Sequence, residues 1–169
     1  MTYRNKTYVA FASEDIRLYR LMEAWRDNDN IDFEFFDAHD LYISRDTSKP
    51  ETIRSNLRRR IANAKQVVLI GSPSCKQKGD DGKSFLWYEV ETMLKLNLPI
   101  VIANHDGDRT IKKTYIPNQI LDASYYTVSV SLQPAIIQYA LNNYAMTFSG
   151  SPKSGPYYYE SKVYEDLGI

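Results

Sequence analysis

One glutamate, Glu89, occupies a position from which it could do chemistry. It lies in residues 84 to 96, which the sequence predicts to be a helix, because Ser84 is a suitable N-cap and apolar residues recur at helical spacing. Phe85 precedes Glu89 by one turn, and Met93 follows it by one turn. A carboxylate between apolar neighbours is partly desolvated, which is costly unless it has a partner or a ligand. Glu89 is therefore a candidate for contact with a partner group or a ligand, with an ordinary helix-surface glutamate as the alternative.

Several other chemistries found in α/β proteins lack their motifs here. Residues 82 to 84 match the end of a phosphate-binding loop, but Gln77 stands where its first glycine is required. There is no G-x-G-x-x-G after the first predicted strand and no G-x-S-x-G nucleophile elbow. The third predicted strand ends in Gly-Ser, where a phospho-acceptor receiver needs an aspartate. His39, His105 and Cys75 are isolated, so neither a metal site nor a cysteine nucleophile is predicted.

The composition is that of a soluble globular protein. The chain has 169 residues, with 43% hydrophobic and 25% charged residues and a formal net charge of +0. That charge does not favour nucleic acid or an acidic membrane as a partner. A single cysteine excludes an internal disulfide, and no apolar run is long enough to span a membrane. We expect a cytoplasmic protein. The 14 tyrosines are suited to interfaces as well as to the core.

Strand and helix patterns alternate along the chain. Five strands are predicted, at residues 7 to 12, 31 to 36, 66 to 70, 100 to 103 and 125 to 130. Helices are predicted to follow four of them, capped by Ser13, begun by Pro50, capped by Ser84 and spanning residues 132 to 144. Residues 76 to 83 are predicted to be a loop. We expect one α/β domain over residues 1 to 144 and a tail over residues 145 to 169 that is either docked or mobile.

This alternation predicts an open, mostly parallel five-stranded sheet with helices on both faces, a three-layer α/β fold of the flavodoxin type. Ligands of such sheets bind beyond the carboxyl ends of the strands. Those ends are residues 11 to 13, 36 to 38, 71 to 72 and 103 to 105. The helix that carries Glu89 follows the third of them, so its first turns should lie at the same rim.

Four short motifs, in order and at suitable spacing, resemble the TIR-like family. They are YVAFAS at residues 8 to 13, FDA at 36 to 38, VLIGS at 68 to 72, and Phe85-x-x-Tyr88-Glu89-Val90. The similarity is to ThsB, the sensor subunit of bacterial Thoeris antiphage systems, and it covers most of residues 6 to 105. The family often has a tryptophan where this chain has Phe85, and Trp87 is out of register with it.

The resemblance implies that Glu89 is the catalytic residue of an NAD⁺-cleaving enzyme, a nucleosidase or ADP-ribosyl cyclase. It also implies a nucleotide pocket at the strand ends. The residues assigned to that pocket are Phe11, Ala12, Ser13, Asp37, Gly71, Ser72 and Phe85. For Phe11, Ser13 and Asp37, ordinary strand-end packing and capping is the alternative.

The activity implied by the resemblance makes a signalling nucleotide derived from ADP-ribose, which activates a partner effector protein in antiphage defence. NAD⁺ is the implied substrate, and no metal or further cofactor is implied. Enzymes of the TIR type commonly self-associate to complete their pocket, so a homo-oligomer on activation is expected. The alternative is a TIR-like interaction domain without turnover, in which Glu89 is structural and the tyrosines serve assembly.

Overall fold

The computed structural model describes residues 6–33, 35 and 49–169 and has one parallel β-sheet at its centre. Its five strands lie side by side in the order β1-β2-β3-β4-β5, and every neighbouring pair is parallel. The strands are β1 (Thr7–Ala10), β2 (Gln66–Gly71), β3 (Ile100–Asn104), β4 (Thr127–Ser131) and β5 (Pro156–Tyr158). The predicted α/β class and open parallel sheet are confirmed.

Two strands differ from the prediction. Residues 31–33 and 35 carry no strand, while residues 34 and 36 lie outside the described part of the chain. Phe33 and Phe35 are buried in the core, so their apolar pattern reflects side-chain packing and not pairing in the sheet. The fifth strand, β5, comes from the C-terminal segment, where Tyr157 pairs with Val128 of β4.

Helices cover both faces of the sheet. They are α1 (Ile16–Arg26), α2 (Pro50–Ala62), α3 (Pro73–Asp80), α4 (Phe85–Lys95), α5 (Asn118–Asp122), α6 (Pro134–Asn142), α7 (Tyr144–Thr147) and α8 (Ser161–Asp166), with short 3-10 turns at Ser13–Asp15 and Lys113–Tyr115. Residues buried from α1, α6, α7 and α8 belong to one core cluster, and residues buried from α2 to α5 belong to the two others. The molecule therefore has three layers.

Alternation along the strands decides which side chain meets which helices, because successive residues of a strand point to opposite faces. In β1, Val9 packs in the cluster with α1 and α6, whereas Tyr8 and Ala10 pack in the cluster with α3 and α4. The central strands β2 and β3 are buried over their whole length, as is usual for strands inside a parallel sheet that is covered on both faces.

Local details correct the prediction in two further places. Residues 76 to 80 belong to α3 and not to a loop; Pro73 is its first residue, and Ser72 caps it. Ser13 caps no helix: it is the first residue of a 3-10 turn, and its hydroxyl donates a hydrogen bond to the Glu14 carboxylate over 3.3 Å. No helix among the described residues has the length and apolar character needed to span a membrane.

Candidate functional site

The helix α4 places Glu89 at the interior of the protein. Ser84 is its N-cap, as predicted, and the Ser84 hydroxyl oxygen accepts a hydrogen bond from the backbone N–H of Trp87 over 3.1 Å. Glu89 begins the second turn and is only 2% exposed. Leu86 and Val90 beside it are also buried. A carboxylate is rarely buried to this extent without a specific interaction that compensates for the loss of water.

Tyr8 supplies such an interaction from β1. Its hydroxyl donates a hydrogen bond to Oε2 of Glu89 over 2.8 Å, and Tyr8 itself is completely buried. A hydrogen bond to a carboxylate is stronger than one between neutral groups. Because Tyr8 is held within a strand, it fixes the direction of the Glu89 side chain. The carboxylate is thus oriented by the first strand of the sheet.

A pocket of about 220 Å³ lies against Glu89 at the carboxyl end of β1. The described residues that line it come from the end of β1, from α3 and from the start of α4; they are Phe11, Ala12, Ser13, Lys78, Ser84, Phe85, Leu86 and Glu89. Five residues predicted for the site therefore lie together around one cavity. Among them, the Phe11 ring stacks on Tyr19 of α1 with 4.7 Å between ring centroids, so packing against α1 holds this wall of the pocket in place.

Two other predicted residues, Gly71 and Ser72, are not in the described lining of this pocket. A Cβ atom at Gly71 would lie 2.9 Å from Cγ2 of Ile102 and 3.2 Å from Oδ1 of Asn104, so close packing requires a glycine here. The Ser72 hydroxyl oxygen accepts a hydrogen bond from the backbone N–H of Cys75 over 3.0 Å and thereby caps α3. Asp37, the remaining predicted residue, lies outside the described part of the chain.

Asp15 follows β1 and contacts Ser72, which follows β2, at the rim of the sheet where both strands end. The Ser72 hydroxyl donates a hydrogen bond to Oδ2 of Asp15. Burial raises the pKa of the Asp15 carboxyl above its ordinary value, and the hydrogen bond from Ser72 and the nearby His105 oppose that rise only in part. Asp15 is thus a partly desolvated acid close to the end of β2.

Tyr8 and Lys78 belong to the site although the sequence did not identify them. The signal for Tyr8 was strand alternation, since it faces the α4 side of the sheet together with Ala10. The signal for Lys78 was the Ser72-Pro73 pair, which marks the start of a helix that carries Lys78 toward the pocket. Nζ of Lys78 lies 3.6 Å from Oε1 of Glu14, and its side chain is partly exposed.

This arrangement favours one kind of chemistry. A buried, oriented carboxylate beside a small cavity stabilises positive charge that develops on a bound molecule, and it does so more strongly where water is excluded. Lys78, at another wall of the pocket, is suited to contact an anionic group of the same molecule. Within the described chain, no three His, Cys, Asp or Glu side chains gather as a metal site would require.

Comparison with known proteins identifies the family. The family model described as "Thoeris protein ThsB, TIR-like domain" matches residues 8–110, which is more than half of the chain. The matched segment contains Tyr8, Glu89 and every described residue that lines the pocket between them. The comparison with curated proteins finds no match. The chain belongs to the ThsB family of TIR-like domains from Thoeris defence.

Proposed function

We propose that this protein cleaves NAD⁺ between nicotinamide and ribose, with Glu89 as its catalytic residue. The observation that carries the proposal is the Glu89 carboxylate, 2% exposed, hydrogen-bonded by Tyr8 and lining a pocket at the carboxyl end of β1. The resemblance to NAD⁺-cleaving TIR-like enzymes, in which a glutamate on the corresponding helix is catalytic, supports the same assignment.

The reaction breaks the bond between the ring nitrogen of nicotinamide and C1′ of the ribose. The bonding electron pair moves to the ring nitrogen and neutralises its positive charge, while positive charge grows on the sugar. Glu89 stabilises that oxocarbenium-like state from a position close to the ribose. Nicotinamide leaves as a neutral molecule, so this step requires no strong general acid.

The size of the pocket suits the reacting half of the substrate. Pockets for whole drug-sized ligands typically measure about 300–1,000 Å³, whereas this one measures about 220 Å³. In our proposal, nicotinamide and its ribose enter beside Phe11, Phe85 and Glu89. The pyrophosphate then extends toward Lys78, whose positive charge favours it.

The acceptor determines the product. Attack by water on C1′, with loss of a proton, gives ADP-ribose, and attack by the adenine or a ribose hydroxyl of the same molecule gives a cyclic isomer. We propose that the product is a diffusible signal that activates a partner effector protein. This part of the proposal rests on membership of a Thoeris family.

Mass spectrometry of small molecules from phage-challenged cells tests the proposal. Cells that carry the protein should accumulate a new ADP-ribose-type species, and Glu89→Gln should abolish it while the purified variant remains folded. Glu91→Gln is the matched control, because Glu91 lies on the same helix and pairs at the surface with Lys95 over 2.8 Å. Equal product from the Glu89→Gln and Glu91→Gln variants would contradict the proposal.

A second candidate, an interaction domain without turnover, is favoured by one surface feature. Tyr157 and Tyr158 of the edge strand β5 are 41% and 52% exposed, and tyrosine is enriched in protein interfaces. This candidate predicts that no new nucleotide appears under a challenge to which the defence system responds. It also predicts that Tyr158→Ala, and not Glu89→Gln, removes protection.

A further inference from the structure

Glu14 contacts two polar side chains of the pocket beside Glu89. Its Oε1 lies 3.6 Å from Nζ of Lys78, and its Oε2 accepts a hydrogen bond from the Ser13 hydroxyl over 3.3 Å. Ser13 and Lys78 both line the pocket, whereas Glu14 is not among its described lining residues. One carboxylate next to the pocket therefore engages both a hydroxyl and an ammonium group of the pocket wall.

Lys78 gives the pocket its positive charge. Among the described lining residues it is the only cation, and Glu89 is the only acid. The Ser84 hydroxyl donates a hydrogen bond to the backbone carbonyl of Lys78 over 2.6 Å, which ties this backbone to the start of α4. The side chain of Lys78 is 37% exposed, so a change of partner requires only rotation about its own bonds. Lys78 is therefore suited to exchange Glu14 for an anionic group of a bound molecule.

Both contacts of Glu14 are weak enough to be replaced. Charge-assisted hydrogen bonds typically measure about 2.5–2.9 Å, and the contacts to Lys78 and Ser13 are longer, at 3.6 Å and 3.3 Å. Exposed ion pairs alter an equilibrium by no more than about fivefold. Asp81, another acid near Lys78, already accepts two backbone hydrogen bonds. A pyrophosphate carries more negative charge and more acceptor oxygens than one carboxylate, so it is the stronger partner for Lys78 and Ser13.

We propose that Glu14 is an internal competitor of the pyrophosphate of the substrate. The pyrophosphate takes over Lys78 and Ser13, and the Glu14 carboxylate turns to solvent. Because its contacts must be broken, Glu14 lowers the affinity for NAD⁺ but leaves a nucleoside without phosphate unaffected. This inference rests on the proposed function, since it takes NAD⁺ as the ligand with its pyrophosphate near Lys78. Glu14 thus tunes the affinity of the site and takes no part in bond cleavage.

Isothermal titration calorimetry with NAD⁺ tests the proposal in the Glu89→Gln background, in which turnover should not consume the ligand. Glu14→Gln keeps the side-chain shape and removes the charge, so it should tighten NAD⁺ binding about two- to fivefold. Lys78→Met should weaken NAD⁺ binding about fivefold or more. Added to Lys78→Met, Glu14→Gln should have a smaller effect, because no ion pair remains to be broken. Nicotinamide riboside, which has no phosphate, should bind to all these variants equally.

The matched control is Glu91→Gln. It also removes one carboxylate from an ion pair, that with Lys95, and neither partner is among the described residues that line the pocket. Its affinity for NAD⁺ should equal that of the Glu89→Gln background. A gain in affinity specific to Glu14→Gln would therefore reflect the contacts of Glu14 and not the net charge of the protein.

Four results would overturn the proposal: no saturable binding of NAD⁺, unchanged or weaker binding after Glu14→Gln, an equal gain with nicotinamide riboside, or a gain that Lys78→Met does not diminish. Weaker binding would mean that Glu14 holds Lys78 in position for the ligand. Circular dichroism establishes that each variant is folded. If Glu89→Gln does not fold, ADP-ribose, which lacks the scissile bond, replaces NAD⁺ in the parent background.

This inference and the proposed activity can fail separately, because binding is measured without turnover. Cleavage of NAD⁺ by the parent, with affinities that Glu14→Gln leaves unchanged, would refute the inference alone. The expected affinities without any cleavage by the parent would refute the proposed activity alone.

Discussion

Tyr8 and Glu89 are joined by a buried hydrogen bond of 2.8 Å although 81 positions separate them in the chain. The bond connects β1, the first strand of the sheet, to α4, the second of the two helices between β2 and β3. It gives a buried carboxylate a fixed direction, and the same side chain lines the pocket beside it. Substitution of Tyr8 therefore tests both the structural role of this pair and its proposed role in activity.

Tyr8→Phe should destabilise the protein and impair its proposed activity. The variant keeps the packed ring but removes the donor to a buried carboxylate, so we expect the free energy of unfolding to fall by about 1.5–3 kcal/mol. Urea unfolding measures that change. The rate of NAD⁺ cleavage should fall as well, because Glu89 loses a hydrogen bond that helps to orient it.

The matched control for this substitution is Tyr88→Phe in α4. Tyr88 is partly exposed, and its hydroxyl makes no hydrogen bond among the described residues, so the change should stay within about 0.5 kcal/mol. Equal stability of the Tyr8→Phe variant and the parent would show that the hydrogen bond to Glu89 contributes nothing to the fold.

Asp15→Asn should change the pH dependence of stability. The folded state raises the pKa of Asp15 above the ordinary 3.8. This carboxyl therefore contributes fully to the stability of the fold below pH 3.8, and that contribution is lost as the pH rises through the folded-state pKa. Asn is uncharged throughout. The stability of the variant relative to the parent should therefore increase as the pH rises above about 4.

Urea unfolding of both proteins at each pH gives the difference, in which the other carboxyl groups cancel to first order. Glu91→Gln, which changes a partly exposed carboxylate on α4, should show a much smaller trend. A relative stability of Asp15→Asn that falls as the pH rises would mean that the folded state favours the charged form of Asp15.

Cys75 should react with thiol reagents only when the protein unfolds. Its side chain is completely buried, and burial, followed by the nearby negative charge of Asp15, raises its pKa far above the ordinary value. Ellman's reagent at neutral pH should therefore detect no thiol in the native protein and one thiol in guanidinium chloride. Since the chain has a single cysteine, rapid labelling of the native protein would show directly that α3 opens.

Tyr164→Ala should be among the most destabilising changes in the C-terminal segment. Tyr164 of α8 is completely buried, its ring lies 4.2 Å from the guanidinium carbon of Arg109, and its hydroxyl accepts a hydrogen bond from the backbone N–H of Ser131. Loss of a buried aromatic side chain typically costs about 3–5 kcal/mol. Tyr158→Ala, at 52% exposure, should change the stability by about 0.5 kcal/mol or less. Thermal unfolding distinguishes the two.

Features that depend on neighbouring residues could be predicted from the sequence. The buried strands β2 and β3 appear as unbroken apolar runs, and Ser84 marks the start of α4 by local capping. The parallel arrangement of the strands followed from their alternation with helices. Because the carboxyl ends of parallel strands share one rim, Phe11 and Glu89 were also expected to lie close together, and both line the same pocket.

Features that depend on distant residues could not be predicted in the same way. The strand β5 is three residues long and has no alternating pattern, and it exists because it pairs with β4. Conversely, Phe33 and Phe35 lie in a segment whose sequence resembles a strand, but neither residue is in a strand. Phe33 is held instead by an edge-to-face contact with Trp25, with 5.6 Å between the ring centroids. The hydrogen bond between Tyr8 and Glu89 likewise arises only after the chain has folded.

The segment that resembles the family is shorter than the unit that must fold. The match ends at residue 110, yet Val101 and Ala103 of β3 pack in the same cluster as Ile136 and Ile137 of α6. A fragment cut at residue 110 would expose that apolar face and leave the edge of β3 open to other chains, which favours aggregation. The matched segment therefore cannot be exchanged between proteins as an independent module; a graft that transfers the pocket must carry the strands and helices after it as well.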